Sequence, residues 1–125
     1  MDSEIIKKLN KEESGLAVYE YIANNIDNLS DKDIKELIEL MVRVDRNGQF
    51  AVSTARYLHA IEGDKYNDYV DILVKAAIEK DRERKYIIDL LAAFWGADYM
   101  EHVAELNASD DNFRRIYKRI YNTGM

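Results

Sequence analysis

The chain contains no cysteine and no proline, and only five glycines, two histidines and one tryptophan. Without cysteine there is no disulfide framework, no thiolate metal site and no cysteine nucleophile. Without proline the chain lacks its strongest helix-breaker, which favours long helices joined by short polar turns. The two histidines, His59 and His102, lie in neither an H-E-x-x-H nor an E-x-x-H pattern. No G-x-S-x-G, P-loop or G-x-G-x-x-G run occurs, and Gly15, Gly48, Gly63, Gly96 and Gly124 are isolated, where turn or cap roles suffice. No stretch approaches the ~18 apolar residues of a membrane span. The N-terminal MDSEIIKKLNKEE is too charged for a signal peptide. These absences predict a non-enzymatic protein that uses no cofactor and no metal, with the cytoplasm as the expected location.

What is present fits one domain over residues 1–125, with an apolar fraction of 47% and a charged fraction of 34%. The net charge of −6 opposes non-specific binding to nucleic acid. It is unevenly placed. All 24 acidic residues precede Asn112, whereas Arg114, Arg115, Lys118 and Arg119 follow it with no acid among them.

Apolar residues recur at three- and four-residue spacing almost throughout, which predicts an all-α fold. Eight helices are expected, near Ser3–Asn10, Ser14–Ile26, Asp31–Val44, Phe50–Ile61, Tyr66–Glu79, Arg84–Trp95, Asp98–Leu106 and Asp111–Asn122. Ser30 should cap the third, with Asp31 and Asp33 favouring its positive start. Leu16, Ile34, Leu37, Ile38, Leu58, Ile61, Leu73 and Val74 are among the expected core positions. The sixth segment is the most apolar, with Ile87, Ile88, Leu90, Leu91, Phe94 and Trp95, and is expected to be the central buried helix. On that reading Phe94→Ala should cost ~3–5 kcal/mol.

Sliding Ile34–Ile61 forward by roughly 36 residues matches Leu37 with Leu73 and Ile38 with Val74. It also matches Asp45-Arg46 with Asp81-Arg82, Phe50 with Tyr86 and Leu58 with Phe94. Upstream, Gly15-Leu16-Ala17-Val18 echoes Gly48-Gln49-Phe50-Ala51-Val52 with one residue inserted. Such a pattern predicts antiparallel helical hairpins stacked as a short α-solenoid of seven or eight helices, because one hairpin cannot bury its apolar face alone. The alternative is an irregular helical bundle. From Leu16 to Tyr121 the chain resembles HEAT-like helical repeats, in which paired helices share an Asp-Arg turn. The resemblance implies that architecture and a partner-binding face.

Three groups are candidates for chemistry. Glu101, His102 and Glu105 bring two carboxylates and an imidazole together on a helix, which a solvated surface explains as well as a metal site does. Asp64, Asp68 and Asp71 surround a helix start, where the helix dipole accounts for them. His59, between Leu58 and Ala60, is expected to be partly buried and hydrogen-bonded. The last helix offers the best partner-binding candidates: Arg114, Arg115, Tyr117, Lys118, Arg119 and Tyr121, a mixture of aromatic area and positive charge of the sort interfaces favour. The functional expectation is a protein-interaction module for another, basic protein, in its concrete form an inhibitor or immunity-type protein. The alternative is a nucleic-acid-associated regulatory domain using the basic last helix.

Overall fold

Ser30 and Asp33 cap each other at the start of a helix: the Ser30 hydroxyl accepts from the Asp33 N–H at 3.1 Å, and the Asp33 carboxylate accepts from the Ser30 N–H at 3.1 Å. A cap of this type stabilises a helix by ~1 kcal/mol. A computed structural model describes residues 1–121. Among these residues the fold is all-helical, with α1 (Ser3–Glu12), α2 (Gly15–Asn25), α3 (Asp31–Val44), α4 (Gln49–Glu62), α5 (Asn67–Lys80), α6 (Ile88–Trp95), α7 (Val103–Ser109) and α8 (Asp111–Tyr121). Short 3-10 turns, Ile26–Asn28 and Tyr99–His102, precede α3 and α7. No described helix is long and apolar enough to cross a membrane. The expected helix end at Asn122, and Gly124, lie outside the described residues.

Polar contacts fix the order of four helices. At their N-terminal ends, the chain's amino terminus lies 3.1 Å from Asp33. The Tyr69 hydroxyl donates to the Asp31 carbonyl at 3.2 Å, and the Asn112 amide donates to Asp71 at 2.9 Å. At their C-terminal ends, Arg43 donates to Asn10 at 3.4 Å, Lys80 to the Asp45 carbonyl at 2.6 Å and Arg119 to the Asp81 carbonyl at 3.0 Å. So α1, α3, α5 and α8 lie side by side and parallel. Helices α2, α4 and α6 pack on one another in that order and against this row. Between the two sets lies the core: Val18 and Ile22 of α2, Ile34, Leu37, Ile38 and Met41 of α3, Ala51, Ala55 and Leu58 of α4, and Leu73, Val74 and Ala77 of α5. Burying each large aliphatic side chain stabilises the fold by ~1.5–3 kcal/mol.

The two matched aspartates do the same work. Asp45 and Asp81 are buried just after α3 and α5. A carboxylate is costly to bury unless it is hydrogen-bonded. Asp45 accepts from the Ala51 N–H at 2.8 Å, and Asp81 from the Ile87 N–H at 2.8 Å, six residues ahead in both cases. Asp81 also accepts from Lys85 at 3.0 Å and Tyr86 at 2.7 Å. Burial pushes the Asp45 carboxyl above its ordinary range, against the pull of the Ala51 and Phe50 N–H groups and the Lys80 charge. Gly48, at φ +85°, sits so close that a Cβ there would lie 3.2 Å from the Ala77 backbone. Arg84, the position matched to Gly48, is also left-handed at φ 60°.

These turns correct the sequence reading of the sixth helix. It begins at Ile88 rather than Arg84, because the Asp81 carboxylate collects the N–H groups of residues 85–87 and the chain winds around it. Of α6 itself only Leu90 and Leu91 are buried, while Phe94 and Trp95 are half-buried at its end. The central helices are α3, α4 and α5. Leu16 and Ile61, expected in the core, are 43% and 46% exposed. Each lies in an end turn of its helix, beyond the neighbours that cover the middle.

Candidate interaction surfaces

Helix α8 is held by an aromatic row. Phe113, fully buried, stacks on Tyr117 at 5.6 Å and meets Trp95 edge-on at 5.3 Å. Tyr117 in turn packs on Tyr121 at 4.7 Å, and the Tyr121 and Tyr99 hydroxyls share a hydrogen bond of 2.7 Å. That bond, helped by partial burial and the neighbouring phenols, pushes the Tyr99 phenol up to about 12. Asp110 starts the helix by accepting from the Phe113 N–H at 3.1 Å.

The six residues expected to bind a partner are therefore divided among several tasks. Arg119 bonds the Ile78 and Asp81 carbonyls at the end of α5. Arg114 bonds Asp111 and, at 3.0 Å, the Asn107 carbonyl. Tyr117 is half-buried in the aromatic row, and Arg115 is also half-buried. Arg114, Lys118 and Tyr121 share one exposed flank at three- and four-residue spacing.

A larger pattern appears once the parallel row is in place. Each of its helices opens with acid and closes with base: Glu4 and Lys11 in α1, Asp31, Asp33 and Arg43 in α3, Asp68 and Lys80 in α5, Asp111, Lys118 and Arg119 in α8. The helix dipole favours this arrangement in every helix. Because the helices are parallel, the charges add into one acidic edge and one basic edge. Glu62, at the end of α4, and Asp64, in the connection to α5, lie beside the start of α5. Arg46, Arg82, Arg84 and Lys85 add bases at the other edge around a cleft that Asp81 and Glu83 also line, with Arg46 paired to Glu13 at 3.2 Å and Lys85 to Glu83 at 2.8 Å. Burial lowers the Lys80 ammonium from its usual range, against the Asp45 charge.

A second cleft, of about 250 Å³, lies where α4, α5, α6 and α8 meet. Val70 and Val74 form its apolar side, while His59, Phe94 and Trp95 supply aromatic rings. His59 is exposed and stacks on Phe94 at 4.5 Å, which replaces the partly buried, hydrogen-bonded histidine expected. Trp95 donates its indole N–H to Asp110 at 2.9 Å. Asp71 takes Lys75 at 2.6 Å and Asn112 at 2.9 Å. Burial alone would raise the Asp71 carboxyl, but Lys75 and Asn112 together hold it below its usual range. The other oxygen-bearing end of Asn112, Oδ1, is buried with no hydrogen-bond partner.

Glu101 and His102 do come together on the surface, with Asp98 as their third neighbour, their ligand atoms within 4.8 Å of one another. His102 pairs with Asp98 at 3.2 Å. All three are exposed, as are Glu105, Asp64 and Asp68.

Periodicity did not point to the aromatic cleft, since its parts come from four separate segments. The one sequence signal was the adjacent pair Phe94-Trp95 at the end of a helix. Searches for similar proteins find no matching family model, curated protein or solved structure.

Proposed function

We propose that this chain is a non-enzymatic protein-interaction module whose acidic edge receives a basic protein, in the manner of an inhibitor or immunity-type protein in the cytoplasm. The observation that carries this reading is the alignment of the acidic starts of α1, α3, α5 and α8 along one edge. A field of one sign steers an oppositely charged partner and selects against others. The architecture proposed with it is a short stack of helical hairpins of the HEAT-like kind. Support comes from the two Asp-Arg turns, whose aspartates bond backbone six residues ahead in both copies.

The test is affinity capture on the full chain from its native lysate, followed by mass spectrometry of the eluate. The expected result is a stoichiometric basic protein, lost from an Asp64→Lys, Asp68→Lys double variant and kept by Arg82→Glu. Capture indifferent to the acidic edge would overturn this reading.

A second reading rests on the basic edge, where Arg84 bonds the Arg119 carbonyl of α8 and Arg46, Arg82 and Lys85 line a neighbouring cleft. A nucleic-acid-associated domain would use that edge, and its affinity for RNA or DNA would fall steeply with salt.

A further inference from the structure

We propose that the cleft between α4, α5, α6 and α8 is a pocket for one arginine side chain of the partner, a refinement that rests on the interaction reading above. Three observations converge on a planar, donor-rich cation. The cleft presents acceptors, the carboxylates of Asp71 and Asp110. Aromatic rings stand beside these acceptors, with Phe94 and Trp95 tilted at 5.9 Å and His59 stacked on Phe94. Cations are drawn to aromatic faces, arginine more often than lysine. Size is the third. At about 250 Å³ the cleft falls below the ~300–1,000 Å³ of small-molecule sites and suits one long side chain.

Arginine fits this set better than lysine. Its guanidinium is flat, carries five N–H donors in a fixed fork, and stacks on rings while bonding carboxylates at its rim. An ammonium is a compact point charge, which the acceptors spread around the cleft cannot all reach at once. Lys75 already bonds Asp71 from outside, so the arriving guanidinium shares that carboxylate with it.

The lone tryptophan makes the pocket readable, because Trp95 lies in it. The full-length chain is titrated with two acetylated, amidated tripeptides, Gly-Arg-Gly and Gly-Lys-Gly, while its fluorescence is followed. The expected result is a saturable change with the arginine peptide, about fivefold or more tighter than with the lysine peptide. Asp71→Asn should weaken it about tenfold, and Phe94→Leu should weaken it while keeping the cleft filled. Both variants are checked for an unchanged helical circular dichroism spectrum. Equal responses to the two peptides, no saturable response, or binding unmoved by both variants would overturn the pocket. If the peptides fail while a basic protein is still captured through the acidic edge, the interaction reading survives and the pocket alone is lost. If the arginine peptide binds but no protein is captured, the converse holds.

Discussion

The ammonium of Lys80 donates to the carbonyl of Asp45 at 2.6 Å and to that of Val42 beside it, closing the C-terminal end of the neighbouring helix. Arg119 repeats the arrangement one helix further on, at Asp81 and Ile78. Helix ends leave carbonyls without partners, and here the next helix in the row supplies the donor. Lys80→Met should keep the stem and remove the donor, costing about 1.5–3 kcal/mol, the range for a hydrogen bond to a charged group. Urea denaturation measures it. A change under about 0.5 kcal/mol, the level of an ordinary surface substitution, would mean that water caps α3 instead.

The buried aspartates differ in how much backbone they hold. Asp81 accepts from three N–H groups and is 1% exposed. Asp81→Ala leaves those donors buried or half-buried without partners, at ~1–3 kcal/mol for each that water fails to reach. The variant should lose about 3 kcal/mol or more, and the isosteric Asp81→Asn markedly less, by thermal unfolding. If Asn is as damaging as Ala, the amide NH2 facing a backbone N–H, donor against donor, outweighs the bonds its single oxygen keeps.

The helix boundaries were largely legible in the sequence, because Ser30, Asp33 and the apolar spacing of α3 act locally. The start of α6 was not. Periodicity continues through Arg84–Ile87, and only the side chain of Asp81, folded back onto those N–H groups, overrides it. Arg46 and Arg82 read as parts of separate turns, and Lys85 as part of the sixth helix, until the fold places them around one cleft. The aromatic cleft was hidden for the same reason, since His59, Asp71, Phe94 and Asn112 meet only after four helices have packed.

Of the two phenylalanines near the α6–α8 contact, Phe113 is fully buried and Phe94 only half-buried. Phe113→Ala removes a fully buried ring in contact with Trp95, Tyr99 and Tyr117, and should cost ~3–5 kcal/mol. Phe94→Ala, at a half-buried position, should cost roughly half as much. Equal losses in chemical denaturation would place Phe94 in the core after all.

Alkaline titration should find Tyr99 among the late phenols, together with Tyr57, which burial also raises. Its phenol is raised to about 12, chiefly by the bond to Tyr121, whereas an unfolded tyrosine titrates near ~10. The native state therefore keeps a proton that the unfolded chain releases. Stability from this pair is full below pH ~10 and is lost as pH rises through about 12. Tyr121→Phe should move one late tyrosine titration to lower pH in ultraviolet absorbance. A late titration that stays near about 12 in that variant would show that Tyr121 does not hold the Tyr99 proton.

The parallel row has one more consequence, for how the molecule travels before it touches anything. With cations in excess at one edge and carboxylates in excess at the other, the protein carries a permanent moment along its helix axes. A charged body approaching to within a Debye length, ~8 Å in physiological salt, exerts a torque that turns the protein about its centre before contact. A basic visitor then meets the carboxylate edge first and an acidic one the opposite edge. The rate of productive encounter depends on that rotation, so dilute buffer speeds it and concentrated salt leaves the meeting to chance orientation.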